Sequence, residues 1–434
     1  MNSSENSKSV LIITRDFPPH CSRGGWTIRM ASLANFLTQN HCKVYVIATQ
    51  RAKIWPTIYI SPKVKVFWVK HWLEYYNLPR FDFSFNLFYL FIKIYRRFLS
   101  VVFENILIDV NHLSYKNYYH TAKKLIQDDG IQNVIISSPP HSLHLIGLQL
   151  KKDFKDRINL ITDFRDPWTL RKKYQVKDKY RMEELEKIEQ QVALESDWFV
   201  LVSQGMVNMY AKKIRLCLDK IKIIENGFTQ IAPSQPDQKI ISIVEKAKQQ
   251  NRLVIGYFGV GGISQKRNDG KSFNRLFSVL NRNSSLAQRL CLIVQGDFAS
   301  DGEIPDKLLF ASLPNTSYSN ARGNMLNVDV GLMIYTETED APFMMGGKVY
   351  DYIASGIALL FMAPSNSESL IALCSKTEKP FLADVHSDES IENTLSQIIE
   401  KYDNKTLKNF AFTSDEIDVY SRENQYKQFL DILR

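Results

Sequence analysis

The chain has 434 residues, of which 44% are hydrophobic and 23% are charged. This length and composition are typical of a soluble globular protein with two or three domains. The formal net charge of +9 favours an anionic partner, such as a phosphorylated ligand, nucleic acid or an acidic membrane surface.

Cysteine usage and hydropathy exclude several classes of protein. The five cysteines are scattered without Cys-x-x-Cys spacing, which argues against a disulfide framework or a zinc site and favours a reducing compartment. The start is polar up to Val10 and no small-residue cleavage site follows an apolar run, so we expect no signal peptide. No run reaches the roughly 18 consecutive apolar residues of a membrane span. These features predict a cytoplasmic protein.

Short β-branched segments alternate with helical patterns in the first half of the chain. Strands are predicted at residues 10–14, 43–49, 64–69, 134–138, 160–163, 199–203 and 220–225. Helical periodicity follows at residues 27–39, 141–152 and 179–195. Continuous apolar strands that alternate with helices predict a parallel sheet covered on both faces.

A second α/β series follows a polar stretch at 229–252, which is the predicted linker. Its strands are predicted at residues 253–258, 290–295, 328–335 and 357–363, and its helices at 271–280 and 348–354. We therefore expect an α/β protein with two Rossmann-like domains, at 1–228 and 253–412, and a C-terminal helix in 413–434 that packs back on the first. Two such domains predict a ligand cleft between them, at the carboxyl ends of their sheets. The first strand lacks a following GxGxxG pattern, which argues against a dehydrogenase.

The loop after the first strand contains two prolines and two glycines. Pro18 and Pro19 force an extended exit from the strand. Gly24 and Gly25 then allow the backbone to approach a bound group closely. The loop is therefore either part of a binding site or an ordinary connection between strand and helix.

Polar residues end two further strands of the first domain. One strand runs into the segment DFRDPW, from Asp163 to Trp168, and the preceding one leads to His141 near a helix start. Two carboxylates and a guanidinium are costly to bury unless they pair. Asp163, Arg165, Asp166 and His141 are therefore candidate catalytic residues, with Trp168 as a face for a sugar to stack on. The alternatives are a structural ion-pair cluster and, for His141, a residue of the cap region.

Residues 346–356 (GGKVYDYIASG) lie between two apolar runs and open a short helix. Glycines at a helix start expose backbone N–H groups, and the helix dipole favours an anion there. Lys348 adds a cation, and Asp351, three residues on, projects from the same helix face. Together with Gly347, these residues suit a sugar nucleotide. The backbone amides and the lysine would bind its diphosphate, and the carboxylate would bind its ribose. An ordinary glycine-rich connection is the other explanation.

The aromatic and basic stretch at 81–105 predicts an amphipathic helix. Phe91 and Phe98 belong to its apolar positions, whereas Lys93, Arg96 and Arg97 fall on another face. Such a helix either lies in the surface of an anionic bilayer or packs on its own domain. Nucleic acid is not an expected partner, because the lysines are dispersed and no recognised motif occurs.

Taken in order, these motifs resemble the GT-B glycosyltransferases of family 4. The similar segments are VLIITRDFPPHCSRGGWTIRMASLANFL, ITDFRDPW, ESDWFVLVSQGMVNMY leading into KIIENGF, and VDVGLMIY followed by GGKVYDYIASGIALL. The resemblance covers nearly the whole chain. It implies that the second domain binds a nucleotide-sugar donor and the first an acceptor. It also implies transfer with retained anomeric configuration, without a required metal or a cofactor.

The resemblance also implies roles for single residues of the donor site. The ribose-binding carboxylate falls on Asp351 and the neighbouring cation on Lys348. The diphosphate-binding residue falls on Arg267, with the neighbouring Lys266 as the alternative, and the N-terminal glycine loop falls on Gly24 and Gly25.

The sequence departs from the family pattern in three respects. Phe343 stands where members with the full Glu-x7-Glu signature have the first glutamate. The second acid is Asp351, which is shorter than glutamate by one methylene. Asp163 and Arg165 stand at the strand end where many members place a histidine.

The expected chemistry is transfer of a sugar from a nucleoside diphosphate. Negative charge grows on the leaving diphosphate, and the sequence has no Asp-x-Asp pair of the kind that holds a metal in the other common glycosyltransferase architecture. Lys348, Arg267 and the amides around Gly347 would therefore stabilise that charge. Asp163 or Asp166 would orient or deprotonate the acceptor hydroxyl.

The expected function is a cytoplasmic transferase that acts on a glycan or lipid-linked acceptor in cell-surface polysaccharide assembly, either free or at the inner face of the plasma membrane. One alternative is a non-hydrolysing sugar-nucleotide epimerase of the same architecture. The other is a degenerate scaffold that binds a partner transferase, for which Phe343 is the only support.

Overall fold

The computed structural model describes residues 7–21, 25–50, 59–70, 94, 108–214, 217–230, 234–259, 261–262, 269–296, 298–300, 302–335 and 340–434. The chain divides into two compact units: Met1–Val202, Met206–Glu225 and Gln425–Arg434 form the first, and Ser203–Gly205 and Asn226–Asn424 the second. The helix predicted at 81–105 lies outside the described residues, apart from Ile94. Within the described part, no helix is both long enough and apolar enough to cross a membrane.

The first unit is built on a parallel sheet of seven strands. These are β1 (Ser9–Ile13), β2 (Lys43–Gln50), β3 (Lys65–Lys70), β4 (Asn133–Ser138), β5 (Asn159–Phe164), β6 (Trp198–Leu201) and β7 (Ile221–Ile223). Their order is β3-β2-β1-β4-β5-β6-β7. The helices are α1 (Gly25–Gln39), α2 (Tyr115–Asp129), α3 (Leu143–Phe154), α4 (Lys179–Glu195) and α5 (Gln204–Lys213).

Alternate residues of β1 enter two different cores, one on each face of the sheet. Val10 and Ile12 pack in the core that contains α1, whereas Leu11 and Ile13 pack in the core that contains α2 and α3. All four side chains are fully buried, and each contributes roughly 1.5–3 kcal/mol to stability. Because both faces are covered, the carboxyl ends of the strands are the part of the sheet available to a ligand.

The second unit contains a parallel sheet of six strands and a separate short pair. Its strands are β8 (Leu253–Phe258), β9 (Gly261–Gly262), β10 (Leu290–Gln295), β11 (Phe298–Ala299), β12 (Leu309–Leu313), β13 (Val330–Ile334), β14 (Ala358–Ala363) and β15 (Phe381–Asp384). The large sheet has the order β12-β10-β8-β13-β14-β15, and β9 pairs with β11.

The helices after the first unit's α5 complete the chain. They are α6 (Gln238–Gln249), α7 (Asp269–Arg282), α8 (Ser284–Gln288), α9 (Tyr318–Met325), α10 (Gly347–Ile353), α11 (Glu368–Thr377), α12 (Asp388–Asp403), α13 (Ser414–Val419) and α14 (Arg422–Asp431). Two parallel sheets with helices on both faces confirm the predicted α/β class with two Rossmann-like domains.

Several elements differ from the predicted ones, among them α9, α11 and α12, which the sequence patterns do not predict. The stretch 229–252, which the sequence predicts as a linker, contains α6, which Asp237 caps and which buries Ile240 and Val244. The edge strands β12 and β15 are not predicted by the sequence, because their half-buried, mixed patterns give a weak strand signal.

The single helix predicted near the C-terminus is two helices, α13 and α14. The backbone leaves the helix at Tyr420 to pair with a segment of the same unit. The Phe228 N–H donates to the Tyr420 carbonyl over 3.1 Å, and the Arg422 N–H donates to the Phe228 carbonyl over 2.9 Å. These two bonds replace helical hydrogen bonds and account for the break.

The end of the chain packs in the first unit, beginning at Gln425. Tyr426 is buried, and its hydroxyl donates to the Arg29 carbonyl over 3.0 Å. The Lys8 ammonium donates to the Leu433 carbonyl over 2.8 Å. These contacts join the last helix to α1 and to the start of the first sheet.

Candidate functional site

Two glycines allow a close approach of backbones at the carboxyl end of the second sheet. Gly259 follows β8 and Gly296 follows β10, and the Gly259 N–H donates to the Gln295 carbonyl over 2.8 Å. A Cβ atom added to Gly296 would lie 1.7 Å from the Gly259 carbonyl oxygen. Only glycine fits at position 296, because any side chain there would collide with this backbone.

Lys348 brings its ammonium group to the same strand end. A Cβ atom added to Gly259 would lie 1.7 Å from Lys348 Nζ, so the ammonium group occupies the space that a side chain would need. The Nζ atom also lies 5.8 Å from the centroid of the Tyr257 ring. The lysine predicted from the sequence therefore supplies a cation directly beyond β8.

The backbone at the start of α10 borders open space. Gly346 is the N-cap residue, and its N–H donates to the Tyr335 hydroxyl over 3.4 Å. A Cβ atom added to Gly347 would meet no atom within 4 Å. Because α10 has only seven residues, fewer than two turns, its dipole adds less to anion binding than the charge of Lys348.

Asp351 lies one turn beyond Lys348 on α10 and is held by α9. The Tyr318 hydroxyl donates to Asp351 Oδ1, and Arg322 Nη1 lies 3.7 Å from the same oxygen. The Asp351 side chain is 16% exposed. Burial raises the pKa of Asp351, while the hydrogen bond from Tyr318 and the charge of Arg322 oppose this shift. Tyr318 and Arg322 are not predicted from the sequence, although their four-residue spacing places both on one face of α9.

In the first unit, Asp163 forms a buried ion pair with Arg29 of α1. Arg29 Nη2 lies 2.8 Å from Asp163 Oδ1, and the two side chains are 1% and 0% exposed. The Ser137 hydroxyl donates to Asp163 Oδ2 over 2.7 Å. Arg29 also donates to the carbonyls of Ile224 and Glu225. The Asp163–Arg29 pair therefore joins β5, β4, α1 and the segment after β7, as in the structural ion-pair cluster that the sequence left open.

The other charged residues of the DFRDPW segment hold neighbouring loops. Arg165 donates from Nε to the Ser138 carbonyl over 2.9 Å and from Nη2 to the Pro139 carbonyl over 2.7 Å. Asp166 lies 2.7 Å from Arg171 Nη1 and keeps a side-chain exposure of 31%. Of the two predicted carboxylates, Asp166 is the one that solvent reaches.

His141 is enclosed by aromatic rings. Its ring stacks on Trp168 with centroids 5.2 Å apart and meets the edge of Tyr174 at 4.8 Å. Only 2% of the residue is exposed, and neither ring nitrogen has a hydrogen-bond partner among the described residues. Burial, and then the charges of nearby cations, hold the pKa of His141 well below its usual value. The imidazole is therefore neutral.

A buried glutamate fixes the position of Trp168. Glu189 of α4 accepts hydrogen bonds from the Trp168 N–H over 3.2 Å, from the Thr169 N–H over 3.1 Å and from the Tyr210 hydroxyl over 2.6 Å. Glu189 is not predicted as a site residue from the sequence. A single glutamate within a helical pattern gives no signal that distinguishes it from a surface residue.

The remaining predicted site residues lie at the margin of the described chain. Gly25 is the first residue of α1, whereas Gly24 and Arg267 lie outside the described residues. In the first unit, Asp166 and His141 both contact Tyr174, while in the second unit Gly347 and Lys348 are neighbours at the start of α10. In the described ranges, no group of three or more His, Cys, Asp or Glu residues is arranged to hold a metal ion.

Comparison of the sequence with protein-family models and with curated proteins finds no match. The fold, in contrast, is similar to that of several solved structures over nearly the whole chain. Sucrose-phosphate synthase from Thermosynechococcus elongatus is 13% identical, with a TM-score of 0.59 and 98% of each chain covered.

Two further structures show the same likeness. The HepE protein of Anabaena in complex with UDP and glucose is 13% identical, with a TM-score of 0.55 and 98% of each chain covered. A glycosyltransferase from Rickettsia africae is 13% identical, with a TM-score of 0.57 and 98% of each chain covered. At this level of identity the likeness shows the fold, which is the two-domain GT-B architecture.

Proposed function

We propose that the protein is a glycosyltransferase that moves a sugar from a nucleoside diphosphate to a glycan or lipid-linked acceptor. The position of the Lys348 ammonium group against Gly259, at the carboxyl end of β8, carries this proposal. A fixed cation beside open backbone at Gly347 suits a diphosphate. We further propose that the protein is a glycosyltransferase of the family 4 type and that the transferred sugar retains its anomeric configuration.

The donor side supplies electrostatic stabilisation. As the glycosidic bond to the donor breaks, charge builds up on the leaving diphosphate, and groups that are already in place stabilise it without reorganisation. Lys348 and Arg267 would act as cations, and the amides near Gly347 as donors. Asp351 would accept a hydrogen bond from the donor ribose. Because HepE was solved with UDP and glucose, UDP-glucose is the first donor to test.

On the acceptor side, Asp166 is the candidate for direct contact, since its carboxylate is partly exposed. It would orient or deprotonate the acceptor hydroxyl. Asp163 and Arg165 would position the strand ends and loops around it, through the bonds to Ser137, Ser138 and Pro139. His141 and Trp168 are both buried and stack on each other, so they would support this segment from within the unit and not touch the acceptor.

The proposed acceptor belongs to cell-surface polysaccharide assembly, with the basic stretch at 81–105 holding the enzyme at an anionic membrane surface. No cofactor is required in this proposal, and fixed cations stand in for a metal. Activity is accordingly expected to persist in EDTA.

A nucleotide-release assay tests the function directly. The protein is incubated with a panel of sugar nucleotides and cell-envelope lipid extract, and released nucleoside diphosphate is measured. Lys348→Met, which removes the ammonium group and keeps most of the aliphatic chain, should lower the rate by about 10² to 10³. If no sugar nucleotide is bound or turned over by the native protein, the proposal is wrong.

A further inference from the structure

Helix α9 approaches the Asp351 carboxylate through two side chains. Tyr318 and Arg322 are four residues apart, so they lie on the same helix face. The Tyr318 hydroxyl donates to Asp351 Oδ1, and Arg322 Nη1 lies 3.7 Å from that same atom. Both groups therefore act on one oxygen of the carboxylate.

Arg322 is fixed by its surroundings. The residue is 7% exposed, and its guanidinium lies 5.9 Å from the centroid of the Phe228 ring. Its Nη2 atom donates to the Ala354 carbonyl over 3.5 Å. Nη1 is buried and has no hydrogen-bond partner among the described residues. The nearest charge to Nη1 is the Asp351 carboxylate, 3.7 Å away, so the fixed guanidinium acts on that group.

The second oxygen of Asp351 is left for a ligand. Within the described residues both contacts end on Oδ1, and the carboxylate keeps 16% of its surface exposed. An aspartate held through one oxygen has a fixed orientation, although its side chain is one methylene shorter than a glutamate. A carboxylate oxygen in a fixed position can accept from a hydroxyl at little entropic cost.

We propose that Tyr318 and Arg322 are positioning residues that hold Asp351 so that its free oxygen accepts a hydrogen bond from a ribose hydroxyl of the donor nucleotide. This inference rests on the proposed function, and it names the residues that select a ribonucleotide at that site. Tyr318 and Arg322 act through Asp351 and need not touch the donor.

The arrangement also sets the charge of the carboxylate. The groups that face Asp351 are Tyr318 and Arg322 from α9, Lys348 from α10 and Arg422 from the C-terminal segment. Burial raises the pKa of Asp351, and all four groups lower it. Removal of the Tyr318 hydroxyl should therefore raise this pKa further. The ionised carboxylate accepts the stronger hydrogen bond. When the solution is acidified, the variant should therefore lose UDP binding at a higher pH than the native protein does.

Calorimetric titration of the full-length protein with UDP and 2′-deoxy-UDP, from pH 5 to pH 8, tests the inference. Tyr318→Phe should raise the Kd for UDP about tenfold at neutral pH and shift the pH midpoint of binding upward. The kcat at saturating UDP-glucose should stay within about twofold, because the ribose contact is the same in the ground state and the transition state. Arg322→Lys, which keeps the charge, should weaken binding less than Arg322→Met.

The matched control is Tyr402→Phe, which removes a tyrosine hydroxyl that donates to the Arg252 carbonyl over 3.4 Å in the same unit. It should leave UDP binding unchanged. Asp351→Asn should reduce the native preference for UDP over 2′-deoxy-UDP. If Tyr318→Phe matches the native protein in both Kd and pH midpoint, the positioning role is wrong while nucleotide binding stands. If the native protein binds neither nucleotide, the proposed function fails and this inference with it.

Discussion

The Lys348 ammonium group and Gly259 share one space: a Cβ atom at position 259 would lie 1.7 Å from Lys348 Nζ. The requirement for glycine at position 259 therefore has a steric cause that does not depend on the backbone angles. It leaves room for the cation directly beyond β8. The two residues are 89 positions apart in sequence, so only the fold brings them together.

Gly259→Ala should displace the Lys348 ammonium group. The lysine side chain is flexible and can move, but the new methyl group occupies its place. A φ of +154° at this position adds backbone strain for alanine, of about 1–3 kcal/mol. We expect turnover of the sugar nucleotide to fall by about 10² or more, measured as released nucleoside diphosphate.

A double-mutant cycle separates loss of the cation from general damage. If Gly259→Ala acts by moving Lys348, then Lys348→Met alone should cost about as much as both changes together. Circular dichroism and thermal unfolding serve as controls for folding. Additive losses in the double variant would show that the two positions act independently.

Gly347→Ala is expected to affect ligand binding without affecting the fold. A Cβ atom there meets no protein atom within 4 Å, and alanine favours a helix over glycine by up to about 1 kcal/mol. The melting temperature should therefore be unchanged or higher. A diphosphate that approaches this backbone would meet the methyl group, and KM for the donor should rise about tenfold or more. An unchanged KM would remove Gly347 from the donor site.

Much of the fold follows from local pattern, because buried parallel strands are continuous apolar runs. β1, β8 and β14 are predicted within one or two residues for this reason. As site residues, Lys348 and Asp351 remain predictions, which rest on a glycine, a cation and an acid within one short helix. The edge strands β12 and β15 escape prediction, because they bury only part of their surface.

Partners that are distant in sequence could not be predicted. Arg29 is 134 positions from Asp163, and Tyr318 is 33 positions from Asp351. A carboxylate at a strand end has the same sequence pattern whether it meets a substrate or a buried arginine. The choice depends on which helix face packs above it, and that is a property of the folded chain.

Asp163→Asn should strongly destabilise the first unit. The substitution leaves Arg29 buried with a full charge, at 1% exposure, and removal of one partner of such a pair costs about 3–5 kcal/mol. The sequence of the second unit contains no tryptophan, whereas Trp168 and Trp198 are described residues of the first unit. Tryptophan fluorescence during urea unfolding therefore reports on this unit.

The control for Asp163→Asn is Glu186→Gln, which breaks an exposed pair with Lys213 in the same unit. The side chains of Lys213 and Glu186 are 53% and 41% exposed, and such pairs contribute about 0–1 kcal/mol. If the free energy of unfolding decreases by the same small amount in both variants, the structural role of the buried pair is contradicted.

His144 should make the first unit less stable as the pH falls. The residue is fully buried against Phe164, with ring centroids 4.2 Å apart, and burial lowers the pKa of His144 from 6.5 to about 3. Below pH 6.5 the unfolded chain takes up a proton that the folded chain does not, so the free energy of unfolding decreases by about 1.4 kcal/mol per pH unit.

His144→Leu should remove this share of the pH dependence. Between pH 7 and pH 5 the native first unit should lose about 2 kcal/mol through His144 alone, and the leucine variant should lose that much less in urea unfolding followed by tryptophan fluorescence. His141 is also buried and has a lowered pKa. Because it remains in the variant, part of the dependence of the free energy of unfolding on pH should remain as well. The matched control is His120→Gln, which removes an imidazole from an exposed position of α2. A leucine variant with the native slope would mean that His144 takes up its proton in the folded state, which requires that water reaches the ring behind Phe164.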